Sequence, residues 1–256
     1  MSIEPIVIET PEQQQKRINA YHAMAVASDN LGQTGDDRDL YWVTDALIAE
    51  IQATNPPFAC RPGCNQCCYT PPQVSSLEWQ ALYPHLLRLA PEAQNRIIEM
   101  AELQRPLQAV LALKLADALA GAPLRQIMQT VSLQCPLLVD GQCSVYDGRP
   151  FSCRSYGFML SKGEGEARLY GSMVARMHIA HTFTHKLKLP LIEPYTGRIT
   201  TLNPDETRAF LPQWLWAHLE NGAFVADVRP KPDFFAGLSI PPRVNAQMTG
   251  NKTLRP

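Results

Sequence analysis

No stretch of this sequence approaches the ~18 uninterrupted apolar residues that a membrane-spanning helix needs, so no membrane partner is expected. The opening residues, Met1-Ser-Ile-Glu-Pro-Ile-Val-Ile-Glu-Thr10, have no basic start and no long apolar run, and no secretory leader is expected from them. An excess of one charge is also missing. Lys and Arg number 23 against 24 for Asp and Glu, and a net charge of −1 gives no electrostatic footprint for nucleic acid or an anionic surface. There is no Gly-rich phosphate loop, no Ser-centred nucleophile elbow, no HExxH and no internal repeat. Cysteine is missing from residues 1–59 and from 154–256. These absences predict a cytoplasmic chain, where thiols stay reduced and clustered cysteines read as metal or redox sites. The seven cysteines could not all pair within one chain in any case.

What is present is a chain of 256 residues, 45% apolar and 18% charged, a globular composition long enough to fold without covalent staples. The reading is mainly α. Apolar residues at three- and four-residue steps predict helices over 13–28 (Ile18, Tyr21, Met24, Ala25) and 36–53 (Leu40, Val43, Leu47, Ile51). Asn55-Pro-Pro57 stops the second. Further helices are expected over 75–89, capped by Ser75 or Ser76, and from Pro91 to Gln104. Others are expected over 107–119, ending at Gly121, and over 123–131. Asp140-Gly141 between apolar runs predicts a small hairpin, and Asp147-Gly148-Arg149-Pro150 a turn. Helix is expected again over 167–187 and from Asn203 to about Gly222, with an extended tail from Arg229. Trp214 and Trp216 read as a packed anchor of that last helix. The expected organisation is N-terminal helices over 1–57, an irregular, hairpin-containing cysteine module with inserted helices over 58–157, and C-terminal helices and tail over 158–256, together one compact unit.

Four cysteines fall within nine residues, Cys60-Arg-Pro-Gly-Cys64-Asn-Gln-Cys67-Cys68, and Cys135, Cys143 and Cys153 follow. Thiolate is a soft ligand suited to iron–sulfur clusters and zinc. Thiols brought together by local sequence cost little chain entropy to close around a metal. All seven are therefore candidate ligands, with the first block expected to face one volume and to be joined there by at least one later cysteine. An iron–sulfur cluster, [4Fe-4S] first, is the favoured occupant. Zinc is the alternative, since two zinc ions sharing a bridging thiolate take seven ligands. Cys60-x3-Cys64-x2-Cys67 also coincides with the three-cysteine motif of radical S-adenosylmethionine enzymes. That motif follows a barrel strand and has an aromatic before its last cysteine, whereas helix precedes it here and Gln66 takes the aromatic's place.

The whole pattern resembles the YkgJ-type cysteine-cluster family, also described as zinc- or iron-chelating domains. The matching residues are the first block together with Cys135-Pro-Leu-Leu, Gly141-Gln-Cys143-Ser-Val-Tyr146 and Arg149-Pro150-x2-Cys153-Arg154-x-Tyr156. Because that family includes flagellin lysine N-methylases, the resemblance implies one activity, methyl transfer to a protein or peptide, with S-adenosylmethionine as a further cofactor. A structural zinc-binding interaction protein and an electron-transfer or redox-sensing protein are the other classes.

Arg61, Arg149 and Arg154 adjoin ligand candidates and are expected either to offset thiolate charge and meet a cofactor or to form ordinary ion pairs. Tyr156 is placed with Arg149 and Arg154 at the cofactor. The rings of Tyr146 and Tyr156 are expected to pack in the core, with a polar contact second. His178, His181 and His185 share one face if helical and could complete a metal site, but a plain surface face is the favoured reading.

Overall fold

A computed structural model describes residues 10–54, 63–120, 133–162, 168–169, 189–203 and 207–234. In chain order its elements begin with helices α1 (Pro11–Ala27) and α2 (Leu40–Thr54), strand β1 (Gln73–Ser75), and helices α3 (Ser76–Leu87), α4 (Pro91–Gln104) and α5 (Gln108–Leu119). Strands β2 (Leu138–Val139) and β3 (Gln142–Cys143) precede the one-turn helix α6 (Phe151–Arg154). Then come β4 (Leu160–Ser161), β5 (Arg168–Leu169), α7 (Glu193–Leu202), β6 (Arg208–Phe210), α8 (Leu211–Ala217), β7 (Leu219–Glu220) and β8 (Ala223–Phe224). Among the described residues the fold is mainly α, and the strands form only antiparallel pairs. No helix among them is long and apolar enough to cross a membrane.

The residues divide into two compact units, each assembled from two separated stretches. One comes from Met1–Cys64 and Phe151–Pro204, the other from Asn65–Pro150 and Asp205–Pro256. In the first, α1 and α2 pack through Ile18, Ala25, Leu40, Val43, Leu47 and Ile51, all buried. Their connection turns on Asp39, whose carboxylate accepts from the backbone N–H of Gly32 (2.8 Å), Thr34 (3.1 Å), Gly35 (3.2 Å) and Tyr41 (2.9 Å). Burial alone would raise its pKa, but the four donors outweigh that and hold it below the usual carboxylate range. The expected start of α2 at Asp36 is thereby corrected, because Asp39 caps the helix and residues 36–39 belong to the loop.

In the second unit β1 pairs with β6, Val74 opposite Ala209, which brings the segments leading into α3 and α8 together. Ser75 starts α3 with a capping box. Its backbone N–H donates to the Glu78 carboxylate at 2.9 Å and its hydroxyl accepts from the Glu78 N–H at 3.3 Å. Trp79 stacks on Trp214 at 5.6 Å, and the Trp214 indole donates to the Val74 carbonyl. Trp216 is also buried, its indole donating to the Ala101 carbonyl, so the expected aromatic anchor is present. The element around it differs from expectation. Asn203 ends α7 rather than starting a helix, β6 follows it, and α8 gives way to a hairpin turning at Asn221-Gly222, both with positive φ. The helix expected over 167–187 is replaced at Arg168–Leu169 by a strand paired with β4, and its remaining residues lie outside those described. The helix expected over 123–131 and the stops at Asn55-Pro-Pro57 and Gly121 also lie outside them.

His218 sits at the centre of this core, fully buried. The Trp79 indole N–H (3.1 Å) and the Arg229 backbone N–H (2.8 Å) can only donate, so Nε2 accepts from both. The ring proton is then on Nδ1, which donates to the Trp214 carbonyl at 2.8 Å. Desolvation pushes the pKa from the ordinary 6.5 down to about 4. The unfolded chain therefore takes up this proton first as pH falls. The stability held in neutral His218 is complete above pH 6.5 and is lost as pH drops through the window to about 4. We expect the loss to reach on the order of 3 kcal/mol. Urea titrations across that window should show it in the wild type and not in His218→Gln, which keeps an acceptor but cannot titrate.

Candidate metal centre

The first cysteine block enters through Gly63, whose φ of 87° supplies a turn that a residue with a side chain would resist. Cys64 follows, half-buried, in the first unit. Gln66–Tyr69 then form a single 3₁₀ turn in the second unit, closed by the Cys68 N–H to the Asn65 carbonyl at 2.9 Å. Three residues per turn spread neighbouring side chains by ~120°, so the adjacent Cys67 and Cys68 leave the backbone in different directions. Their thiols are nonetheless hydrogen-bonded to each other.

The second block docks directly on this turn. The Cys135 N–H donates to the Cys68 carbonyl at 2.5 Å and the Leu133 N–H to the Tyr69 carbonyl at 3.2 Å. Gln104 of α4 fixes the same segment by donating to the Gln134 carbonyl at 2.7 Å. Asp140 and Gly141, at φ 51° and 76°, make the two-residue turn that their sequence predicts. The hairpin returns Cys143 opposite Leu138. Arg96 reaches its tip through Asp140 at 2.5 Å. Both partners are exposed, so this pair adds little stability.

Four thiols of the second unit therefore share one electrostatic neighbourhood. The Cys68 thiol is pushed far above its usual pKa by its hydrogen bond with Cys67, by desolvation, and by the charges of Cys67, Cys135 and Cys143. Burial pushes the Cys135 thiol up in the same way, with Cys143 and Cys67 adding to it. A bound cation reverses this balance, because it stabilises the thiolates that now destabilise one another. Donor chemistry in this neighbourhood fits zinc or iron. Among the described residues, no three Cys, His, Asp or Glu side chains already converge on a single ion position.

The other expected site residues are dispersed. Cys153 lies on α6 in the first unit, half-buried, as is Cys64, and Cys60 and Arg61 lie outside the described residues. Arg154 is buried and ion-paired with Asp45, and its guanidinium lies 4.2 Å from the centre of the Tyr41 ring. These two partners carried no local signal in the sequence. Phe151 at the start of α6 stacks on Tyr195, whose hydroxyl bonds His22 Nδ1 at 2.8 Å. Arg149 folds over the Tyr146 ring, 3.5 Å from its centre, and donates to the Tyr146 carbonyl. Tyr146 is 39% exposed, which corrects the expectation of a core ring, while Tyr156 is half-buried. His178, His181 and His185 lie outside the described residues.

The turn between Cys143 and Cys153 is tight against α3. A Cβ on Gly148 would stand 2.7 Å from Cδ2 and 2.9 Å from Cγ of His85, too close to be relieved by a side-chain tip. Gly148→Ala is expected to cost about 1–3 kcal/mol through overpacking. A lowered urea midpoint checks it, and an unchanged midpoint would show that the turn yields freely.

Comparison with known proteins bears on the same segment. Residues 59–173 match the model of the CxxCxxCC family, described as a "Putative zinc- or iron-chelating domain". The matched segment carries the cysteine pattern that resembles this family. Within the CxxCxxCC domain, Cys64-x2-Cys67-Cys68 follows the spacing in the family's name, and Cys60 stands one residue further from Cys64 than that name gives. The domain covers all seven cysteines. No curated protein and no solved structure matches the chain.

Proposed function

We propose that this zinc- or iron-chelating domain holds an iron–sulfur cluster, with Cys67, Cys68, Cys135 and Cys143 as thiolate ligands. The observation that carries the reading is the joining of the two cysteine blocks by the Cys135 N–H to Cys68 carbonyl bond, which puts four thiols in one neighbourhood. Four thiolates are the complement of a [4Fe-4S] cluster, and a reducing cytoplasm would keep them available. They are also the complement of one structural zinc, which is the second reading. Anaerobic purification with iron, zinc and acid-labile sulfide analysis decides between them. A brown protein with matched iron and sulfide supports the cluster. A colourless protein with stoichiometric zinc and no sulfide rejects it.

Cys60, Cys64 and Cys153 are further candidate ligands, and the metal content of their Ser variants tests each one. Methyl transfer to a protein or peptide, with S-adenosylmethionine as cofactor, is supported by the family resemblance. Arg149, in the same unit as the four thiols, is the candidate to meet such a substrate, and Arg154 and Tyr156 remain candidates to be tested each by its own variant. Equilibrium binding of S-adenosylmethionine to the metal-loaded protein tests this activity. Absence of binding would leave the electron-transfer or interaction roles of a metal module.

A further inference from the structure

We infer that Gln104 is a positioning residue for the metal centre, acting on Cys135 through the Gln134–Cys135 peptide. The inference rests on Cys135 being a ligand, as proposed above. Ile97, Ala101 and Gln104 form the buried face of α4, at steps of four and three. The first two are apolar, and the third is a glutamine only 5% exposed. An apolar side chain would be the more stabilising occupant of that place, because a buried amide must be desolvated and its long chain ordered. The Gln104 side-chain nitrogen donates to the Gln134 carbonyl at 2.7 Å. A carbonyl can only accept, so the orientation of the amide is fixed, and Oε1 is left buried without a partner among the described residues. One neutral hydrogen bond set against one unmet acceptor does not favour folding. The effect of this glutamine lies in where its bond falls.

The carbonyl that Gln104 holds belongs to the same peptide unit as the Cys135 N–H, which donates to the Cys68 carbonyl at 2.5 Å. In a trans peptide the C=O and N–H point in opposite directions, so Gln104 and Cys68 grip one plane from its two sides. That plane sets the Cα of Cys135 and with it the origin of the thiol. Accepting from Gln104 also polarises the unit and strengthens the donor that joins the two cysteine blocks. Gln104 is itself firmly held. The Ala101 carbonyl, one turn back on α4, accepts from the buried Trp216 indole at 2.7 Å. Arg96 of the same helix meets the far end of the second block at Asp140, but both partners are exposed, so that contact fixes little. Of these two contacts from α4 to the second block, the buried one is made by Gln104.

The test is an anaerobic titration of the zinc-loaded full chain with a chromophoric chelator, since four thiolates accept zinc whether or not a cluster is the native occupant. Gln104→Met keeps the length of the side chain and removes both polar atoms. Its zinc affinity is expected to fall about tenfold, the lower end for residues that orient a metal's ligands from outside, because Gln104 works through a peptide rather than on the thiol. The urea midpoint of the metal-free chain should change little, because the unmet acceptor goes with the donor. Hydrogen exchange at the Cys135 amide should accelerate. Gln104→Glu, compared with the wild type at mildly alkaline pH where the new carboxyl is ionised and only accepts, should lose affinity as far. Zinc affinity unchanged in both variants overturns the inference, whatever happens to the urea midpoint. A loss in Gln104→Met that Gln104→Glu does not share assigns the effect to packing and overturns it as well. Cys135→Ser in the same titration tells the two readings apart. If it weakens zinc binding and the Gln104 variants do not, the positioning role alone fails. If none of the three weakens it, the ligand set of the proposed function fails too.

Discussion

Cys135→Ser is expected to strip the metal and loosen the segment around it. Cys135 is the most buried of the described thiols and the point where the two cysteine blocks are joined. Oxygen is a poor substitute for a soft thiolate at zinc or iron. Losing a direct ligand should weaken binding by more than the 10–100-fold typical of losing an outer hydrogen-bond partner. Binding free energy at such sites is also folding free energy, so the metal-loaded melting temperature should fall with it. Hydrogen exchange across residues 133–150 should accelerate. Cys67→Ser should behave alike, because the Cys67 thiol holds that of Cys68 through their mutual hydrogen bond. A Cys135→Ser protein with full metal content and wild-type melting would remove the second block from the site.

Trp214→Ala is expected to cost about 3–5 kcal/mol, the range for deleting a buried aromatic with partial collapse of the cavity. Trp214 is fully buried, stacked on Trp79 and crossed edge-on by Phe234 at 4.7 Å. Its removal also leaves the Val74 carbonyl without its indole donor, in a strand that positions α3. Phe at this position should recover most of the packing and still lack the hydrogen bond. Urea unfolding of Trp214→Ala and Trp214→Phe separates the two contributions. A loss below about 1 kcal/mol for the Ala variant would mean that the core repacks around the gap.

Local chemistry was legible in the sequence, and non-local pairing was not. Ser75 as a helix cap, Pro91 at a first helical position and Asp140-Gly141 each act within four residues, and each produced the expected element. Asn203-Pro-Asp-Glu looks like a helix start, yet Asn203 closes α7 with φ −105° and ψ 79°. The strand that follows exists because it pairs with β1, some 130 residues earlier in the chain. Asn221-Gly222 was a readable hairpin signal that the apolar run before it obscured.

The candidate site divides in the same way. Spacing marked all seven cysteines as a metal-ligand set. It could not say that the first block is parted between two units, or that Cys67 and Cys68 share an electrostatic neighbourhood with Cys135 and Cys143, more than 60 residues further along the chain. It also left two roles open for Arg154, and the Asp45 and Tyr41 partners are contributed by a helix more than 100 residues earlier in the chain.

X-ray absorption at the metal edge of the anaerobically purified protein tests the thiolate assignment most directly. A first shell of sulfur alone, near 2.3 Å for zinc, is the expected result, with iron–iron scattering in addition if a cluster is present. The Cys135→Ser protein should lose that signal. A wild-type shell dominated by nitrogen or oxygen, or an absence of stoichiometric metal, would contradict a site built from Cys67, Cys68, Cys135 and Cys143.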